Sequence, residues 1–436
     1  MVSVSPEPAG LFATGQLLDL AVGEAVHGGW CVARPCPGEA GADGEDPEPA
    51  QPVVFVRHAL PGERVRARVT QANARFARAD AIEITTAVPE RVPVPCPYAM
   101  PGGCGGCDWQ HASLAAQRAI KSAVISQQLK RIAGINRVVT VEPVRGDADG
   151  LGWRSRVRFA VDAGGRAGLY RHRSHEIVPV SDCLIAHPLV RQAAVTRTAW
   201  PGARWVEVVA APGTGERAVL IDAGTASRPS AERASGGRGK RFLTQRAAGR
   251  DWRVSATGFW QVHPGAADLL ADAVLAALCP EPGEAALDLF CGVGLFAGVL
   301  AERVGSSGAV IGIERDPSAV RDARYNLRSV PWARVYRGDA AVVLGRIGLS
   351  GASLAVLDPP RAGADRQLIQ TLCGEANQQG TRLRGVTYVS CDPATLARDI
   401  ACFERLGWRL DGLRAFDAFP MTHHVECLAT IVPPVR

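Results

Sequence analysis

The stretch AALDLFCGVGLFAGVL occupies residues 285–300. An apolar run reaches Asp288, passes through a turn with Gly292 and Gly294, and continues as a helix-like apolar segment. A strand that feeds a glycine turn and then a helix is a β-α unit, and its turn lies where α/β sheets bind their ligands. Glycines there let the backbone come close to a ligand. The same rhythm repeats outward through AVIGIERD, PSAVRDARYNLRS, LAVLDPP, GVTYVSCD and PATLARDIACFERLG, followed by a final strand. Such alternation over residues 261–436 predicts an α/β, Rossmann-like, doubly wound sheet of mostly parallel strands.

The second strand of this pattern ends in Glu314, 26 residues after Asp288. A carboxylate at that place can bind both hydroxyls of a ribose. A dinucleotide turn would read G-x-G-x-x-G, whereas Gly294 is followed by Leu295, Phe296, Ala297 and Gly298. An NAD enzyme is the natural rival, but the D-L-F-C-G-x-G form with a glutamate on the next strand favours S-adenosylmethionine. Phe290, Gly292, Gly294, Leu295 and Glu314 are the candidate cofactor residues.

LDPPRAG (357–363) puts Asp358 at the end of the fourth strand. Amino-methyltransferases place an aromatic residue after such prolines; Arg361 here argues against nitrogen methylation. VSCDPATLARD (389–399) then sets Cys391 at a strand tip. Carbon 5 of uracil is a poor nucleophile, and a thiolate added to carbon 6 turns it into an enolate carbon that can attack a methyl group. Releasing the product needs a separate base for the carbon 5 proton. Glu426, in FPMTHHVECLAT (419–430), is the candidate. Cys391, Glu426 and Asp358 form the predicted catalytic set.

The whole chain, 436 residues, is too long for one ordinary core. Residues 1–88 carry short β-rich runs broken by Gly and Pro-Gly turns and predict a small OB-like barrel. It is interrupted by PCPGEAGADGEDPEPAQP (35–52), a segment expected to be disordered. Residues 89–260 predict a central mixed-β domain, entered by a helix over 114–135. A net charge of +6 is compatible with a nucleic-acid partner without arguing for one. No run is long enough to span a bilayer and no signal peptide opens the chain, so a cytoplasmic protein with no membrane partner is expected. Twelve cysteines in that compartment should be free, metal-bound or catalytic.

Cys96, Cys104 and Cys107 form C-x7-C-x2-C, and Cys183 follows at a distance. Three clustered cysteines and a fourth can close a thiolate site for zinc or an iron–sulfur cluster, and the spacing does not decide between them. Radical chemistry would want C-x3-C-x2-C with three ligands only.

DLFCGVG, LDPPRAG, VSCDPATLARD and FPMTHHVEC, in that order, resemble the RNA 5-methyluridine (uracil-C5) methyltransferase family, which modifies tRNA and ribosomal RNA. GGWCVAR and FVRHALPGERVRARV resemble a TRAM domain, an RNA-binding barrel. The resemblance implies a class I methyltransferase domain in which Cys391 is the nucleophile and Glu426 the base. It places cofactor contacts on Gln261 (of GFWQVHP), Phe290, Glu314, Asp339 (of YRGDA) and Asp358. Leu295 departs from the asparagine frequent at its place and is carried as a neighbour. Family members with a C-x5-C-x2-C set and a later cysteine carry a [4Fe–4S] cluster, which falls on Cys96, Cys104, Cys107 and Cys183 with a first gap two residues longer. The implied partner is RNA, and a monomer is expected, although the sequence does not read out the oligomeric state. Basic faces for it are expected at Arg64, Arg66 and Arg68, and at Arg154, Arg156, Arg158, Arg171 and Arg173 with Trp153 and Tyr170 interleaved. A non-catalytic RNA-binding protein and a small-molecule C-methyltransferase are the rival readings, and tRNA and ribosomal RNA stay open as substrates.

Overall fold

A computed structural model describes residues 12–36, 53–222, 240–349, 351–378 and 383–434. The acidic, proline-rich segment expected to be disordered lies almost wholly outside the described residues. The chain divides into two compact units. The first comprises residues 1–124, 170–178 and 421–423, and the second comprises 125–169, 179–420 and 424–436.

In the first unit five strands close into a barrel. Their spatial order is Leu17–Val26, Trp30–Pro35, Val53–Arg57, Phe76–Thr86 and Arg64–Ala72, the last pairing back onto the first. Closure removes the exposed edges of so small a sheet. Arg64-Val65-Arg66-Ala67-Arg68-Val69 alternates exposed and buried along its strand. The period of two drives the valines and the alanine into the barrel core and leaves one basic face outside.

In the second unit a large sheet forms the centre. Its strands are β1 (Ala285–Leu289), β2 (Ala309–Glu314), β3 (Ala333–Arg337), β4 (Leu354–Leu357), β5 (Gly385–Ser390), β6 (Arg409–Asp417) and β7 (Glu426–Val432). The order is β3-β2-β1-β4-β5-β7-β6, with Val141–Pro143 added in parallel beyond β6. β1 to β5 pair in parallel, and β7 runs antiparallel between β5 and β6. β4 and β5 are buried at every residue. That is why LAVL and GVTYVS read as continuous apolar runs rather than alternating ones. The parallel strands are joined by helices α2 (Leu295–Val304), α3 (Pro317–Asn326), α4 (Ala340–Ile347), α5 (Arg366–Gln378) and α6 (Pro393–Arg405), and α1 (Ala266–Leu278) precedes β1. α3 and α6 start in the same way, with Asp316 or Asp392 accepting backbone N–H groups and proline at the first helical position.

The sequence predicts one final strand after α6; the structure has two. RLDGLRAFD (β6) breaks its alternation at a bulge between Leu410 and Gly412, which hid it as a strand. Upstream in this unit, Trp205–Ala211 pairs antiparallel with both Glu216–Asp222 and Arg156–Val161. No helix among the described residues is long and apolar enough to cross a membrane.

Candidate active site at the carboxyl edge of the sheet

The strand order reverses between β1 and β4, and the crevice outside such a switch point is where open α/β sheets take ligands. Phe290 leaves β1 with φ of 71°, uncommon for a residue with a side chain. Its N–H and that of Cys291 both donate to the Ile313 carbonyl oxygen at 2.9 Å, which tilts the turn onto β2. Gly294 has φ of 93°, and a Cβ there would lie 3.2 Å from Leu327. Only glycine meets both conditions.

The Glu314 carboxylate accepts the Gly292 N–H at 2.9 Å and the Asp316 N–H at 2.7 Å. Each oxygen keeps a lone pair for a further donor. Asp288 is fully buried. Its Oδ2 accepts the Ala297 N–H at 2.7 Å, while Oδ1 is buried with no protein partner. Burial first, then the neighbouring Asp358 and Glu314, push Asp288 up to about 8. An orphaned carboxylate oxygen below a glycine turn suits a ligand that brings donors and positive charge, such as the amino and sulfonium groups of S-adenosylmethionine.

Asp339 is exposed and caps α4 through Oδ1. Gln261 is half-buried in the turn before α1. Leu295 packs among Trp252, Val293 and Phe296 with 8% exposure, which leaves its backbone rather than its side chain to face a ligand. Burying such a leucine contributes about 2 kcal/mol to holding α2 on the sheet.

β4 and β5 present the second half of the site. Asp358 follows β4, and burial pushes its carboxyl up to about 7. Cys391 follows β5. Since Ser390 pairs with Cys427, the next antiparallel step sets Cys391 opposite Glu426. Glu426 is 4% exposed, and burial first, then the Asp358 charge, hold its carboxyl well above the usual range. Cys391 is half-buried. Burial, then Glu426 and Asp358, push its thiol up to about 11, against the charge and hydrogen bond of Arg361. The same guanidinium opposes the rise at Glu426. Arg361 therefore favours the ionised form of both groups, which sequence reading missed because it weighed that position only for base stacking.

The loop that carries Arg361 is held from below. The Ala364 N–H donates to Tyr388 Oη and Asp399 Oδ2, both at 2.9 Å, and the tyrosine donates to Asp399 at 2.5 Å. Thr395 Oγ1 donates to the Arg361 carbonyl oxygen at 3.1 Å. Gly363, with φ of 85°, lies so close that a Cβ would sit 2.4 Å from Asp399 Oδ2. The structure thus brings Asp358, Arg361, Cys391 and Glu426 to one edge of the sheet, beside the glycine turn.

The cysteine set behaves differently. In the first unit Gly106 N–H donates to Cys104 Sγ at 3.3 Å, and Gln110 Nε2 to Cys107 Sγ at 3.1 Å. Gln110 also accepts the Cys96 N–H at 3.1 Å. Cys183 belongs to the second unit. Among the described residues no group of three or more His, Cys, Asp or Glu is gathered to hold a metal ion. The expected cluster site at Cys96, Cys104, Cys107 and Cys183 is therefore not gathered among the described residues.

The second expected basic face is also changed. Arg156 and Arg158 are committed to Glu207 at 2.9 and 3.3 Å, and Arg158 also stacks on Trp205. Trp153 is 5% exposed and stacks on His263, so it is unavailable to a base. Arg64, Arg66 and Arg68 do stand outside the barrel, where Arg66 meets Asp19 at 3.2 Å in an exposed pair of little energetic consequence.

Three family models match the chain. One described as tRNA (uracil-5-)-methyltransferase covers residues 347–432, a methyltransferase domain covers 280–335, and a TRAM domain covers 24–82. An uncharacterized RNA methyltransferase of Streptomyces avermitilis is 46% identical over 97% of this chain and 99% of its own length. Another from Corynebacterium glutamicum is 31% identical over 92% and 95%. The fold is similar to the crystal structure of Pyrococcus abyssi tRNA (uracil-54, C5)-methyltransferase in complex with S-adenosyl-L-homocysteine. That likeness has a TM-score of 0.66 and 24% identity over 87% of this chain and 95% of that one.

Proposed function

Since this chain belongs to the RNA (uracil-5-)-methyltransferase family, we propose that it methylates carbon 5 of a uridine in tRNA or ribosomal RNA through a covalent Cys391 adduct. The coarser activity, S-adenosylmethionine-dependent methylation of RNA, comes with the family. The observation that carries the finer reading is that Cys391, one residue past β5, comes within electrostatic reach of a buried carboxylate, Glu426, at the start of the adjacent antiparallel strand.

S-adenosylmethionine supplies the methyl group as a sulfonium. Asp288, Gly292, Gly294 and Glu314 would hold it, with Gln261, Phe290 and Asp339 at the rim and Leu295 contributing backbone only. Asp358 stands where both cofactor and base can be reached. Cys391 adds to carbon 6, so that carbon 5 becomes an enolate carbon and takes the methyl group. Glu426 then removes the carbon 5 proton, the double bond re-forms, and the thiolate leaves. Burial alone would keep Cys391 and Glu426 protonated, and Arg361 is the cation that shifts both toward the forms the reaction uses.

The barrel face of Arg64, Arg66 and Arg68 would follow the RNA backbone, and the target uridine must leave its stack to reach Cys391. RNA methylated with labelled cofactor and digested to nucleosides should give labelled 5-methyluridine. Label in any other nucleoside would overturn the assignment of Cys391.

For Cys96, Cys104, Cys107 and Cys183 the reading remains a [4Fe–4S] cluster with a structural or RNA-positioning role. The support is the resemblance to family members with such a cysteine set, together with the two N–H···S bonds at Cys104 and Cys107, which favour thiolates. Protein purified without oxygen should contain iron and sulfide at about four each per chain. Protein folded and active with neither would remove the cluster.

A further inference from the structure

The loop that follows the C-x2-C turn grips the backbone just ahead of Glu426. Asp108 and Trp109 N–H both donate to the Met421 carbonyl oxygen, at 2.9 and 3.0 Å. The Met421 N–H donates to Gln117 Oε1 at 2.8 Å, and Gln117 Nε2 lies 3.3 Å from the Met421 sulfur. Gln117 is fully buried and fixed by its own bonds to the Trp109 and Ala112 carbonyl oxygens at 3.1 and 2.9 Å. Asp108 Oδ2 accepts the His423 N–H at 3.0 Å and faces His423 Nδ1 at 2.7 Å, while Oδ1 faces Arg57 at 3.4 Å. All these groups lie in the first unit, to which residues 421–423 belong although both flanks belong to the second.

Met421 is held at φ of 65°, a conformation that a methionine keeps only when its surroundings over-determine it. A buried carboxylate is also a costly way to close a turn, because the ion must leave water. Strain and buried charge converge on three residues, and Glu426 opens its strand three residues after His423. We propose that Asp108 is a positioning residue for proton removal. With Trp109 and Gln117 it fixes Met421–His423, and through the covalent chain it sets where Glu426 begins its strand. This inference rests on Glu426 being the base.

Asp108→Ala removes the acceptor for both His423 groups, while Asp108→Asn keeps an oxygen for the His423 N–H. In Asp108→Ala, kcat should fall on the order of 10- to 100-fold with the KM for S-adenosylmethionine unchanged, as expected when a reacting group is misplaced. RNA with ordinary uridine should then accumulate as covalent complex, because addition and methyl transfer outrun proton removal. Asp108→Asn should shift the same way by less. Adduct formation on 5-fluorouridine RNA, which needs no proton removal, should keep its wild-type rate. An unchanged kcat would overturn the inference. So would a loss of 5-fluorouridine adduct in step with kcat, the mark of a general structural defect. If Asp108→Ala does not fold, Asp108→Asn decides, and wild-type behaviour in it overturns the inference. Glu426→Gln run alongside separates the two claims. Complex in Glu426→Gln but not in Asp108→Ala defeats the positioning role alone, and complex in neither defeats the reading of Glu426.

Discussion

Glu426→Gln should leave RNA attached to the protein through Cys391. Glutamine keeps the size and one acceptor oxygen of the glutamate, so the buried strand start can fold as before. It cannot accept the carbon 5 proton. Addition and methyl transfer come before that step, so the methylated adduct should form and then stall. General base catalysis is worth roughly 10²- to 10⁴-fold, and turnover should drop by that order. The mutation also removes a carboxyl whose charge raises the Cys391 thiol, so the nucleophile should ionise more readily rather than less. The readout is a band of RNA-bound protein that survives denaturing electrophoresis and carries label from the cofactor's methyl group. Free, fully methylated RNA at the wild-type rate would assign the proton to another group.

Cys391→Ala should have the larger effect on turnover, because no other sulfur faces the same edge on equal terms. Cys427 and Cys291 are buried, and burial holds both thiols far above their usual range, so neither can serve as a substitute thiolate. Methylation should fall to background. Binding of S-adenosylmethionine should stay within about threefold, since only an interaction made during the reaction is lost. The two variants together distinguish the ends of one covalent cycle, one unable to start it and the other unable to finish.

The parallel part of the sheet and the glycine turn were legible because their signals are local. β4 and β5 are short apolar runs that end in Leu357 and Ser390, and Asp358 and Cys391 sit one residue beyond them. The barrel was legible in the same way, from short β-rich runs broken by Gly and Pro-Gly turns, and its basic face from alternation in RVRARV. What local pattern could not show is which partners arrive from elsewhere. Trp153, followed by alternating arginines, has the look of a nucleic-acid contact, yet its ring meets His263, 110 residues away. The meeting of Glu426 with Cys391 depends on the antiparallel placement of β7 between β5 and β6, and the bulge in β6 masked that hairpin. The grip of Asp108 on His423 joins residues 315 apart, beyond any periodicity. Arg361 is a similar case, since its effect on both Cys391 and Glu426 appears only when β4, β5 and β7 are side by side.

The covalent role of Cys391 is most directly tested with transcribed tRNA and ribosomal RNA in which every uridine is 5-fluorouridine, mixed with the protein and S-adenosylmethionine. Fluorine cannot leave carbon 5 as a proton does, so the adduct is held whichever base the site uses. A protein–RNA band that resists denaturation and is absent with Cys391→Ala is the expected result, and sequencing the captured RNA would give the uridine. No band with any RNA, from protein that binds the cofactor, would contradict the covalent mechanism and return Cys391 to the packing of the strand.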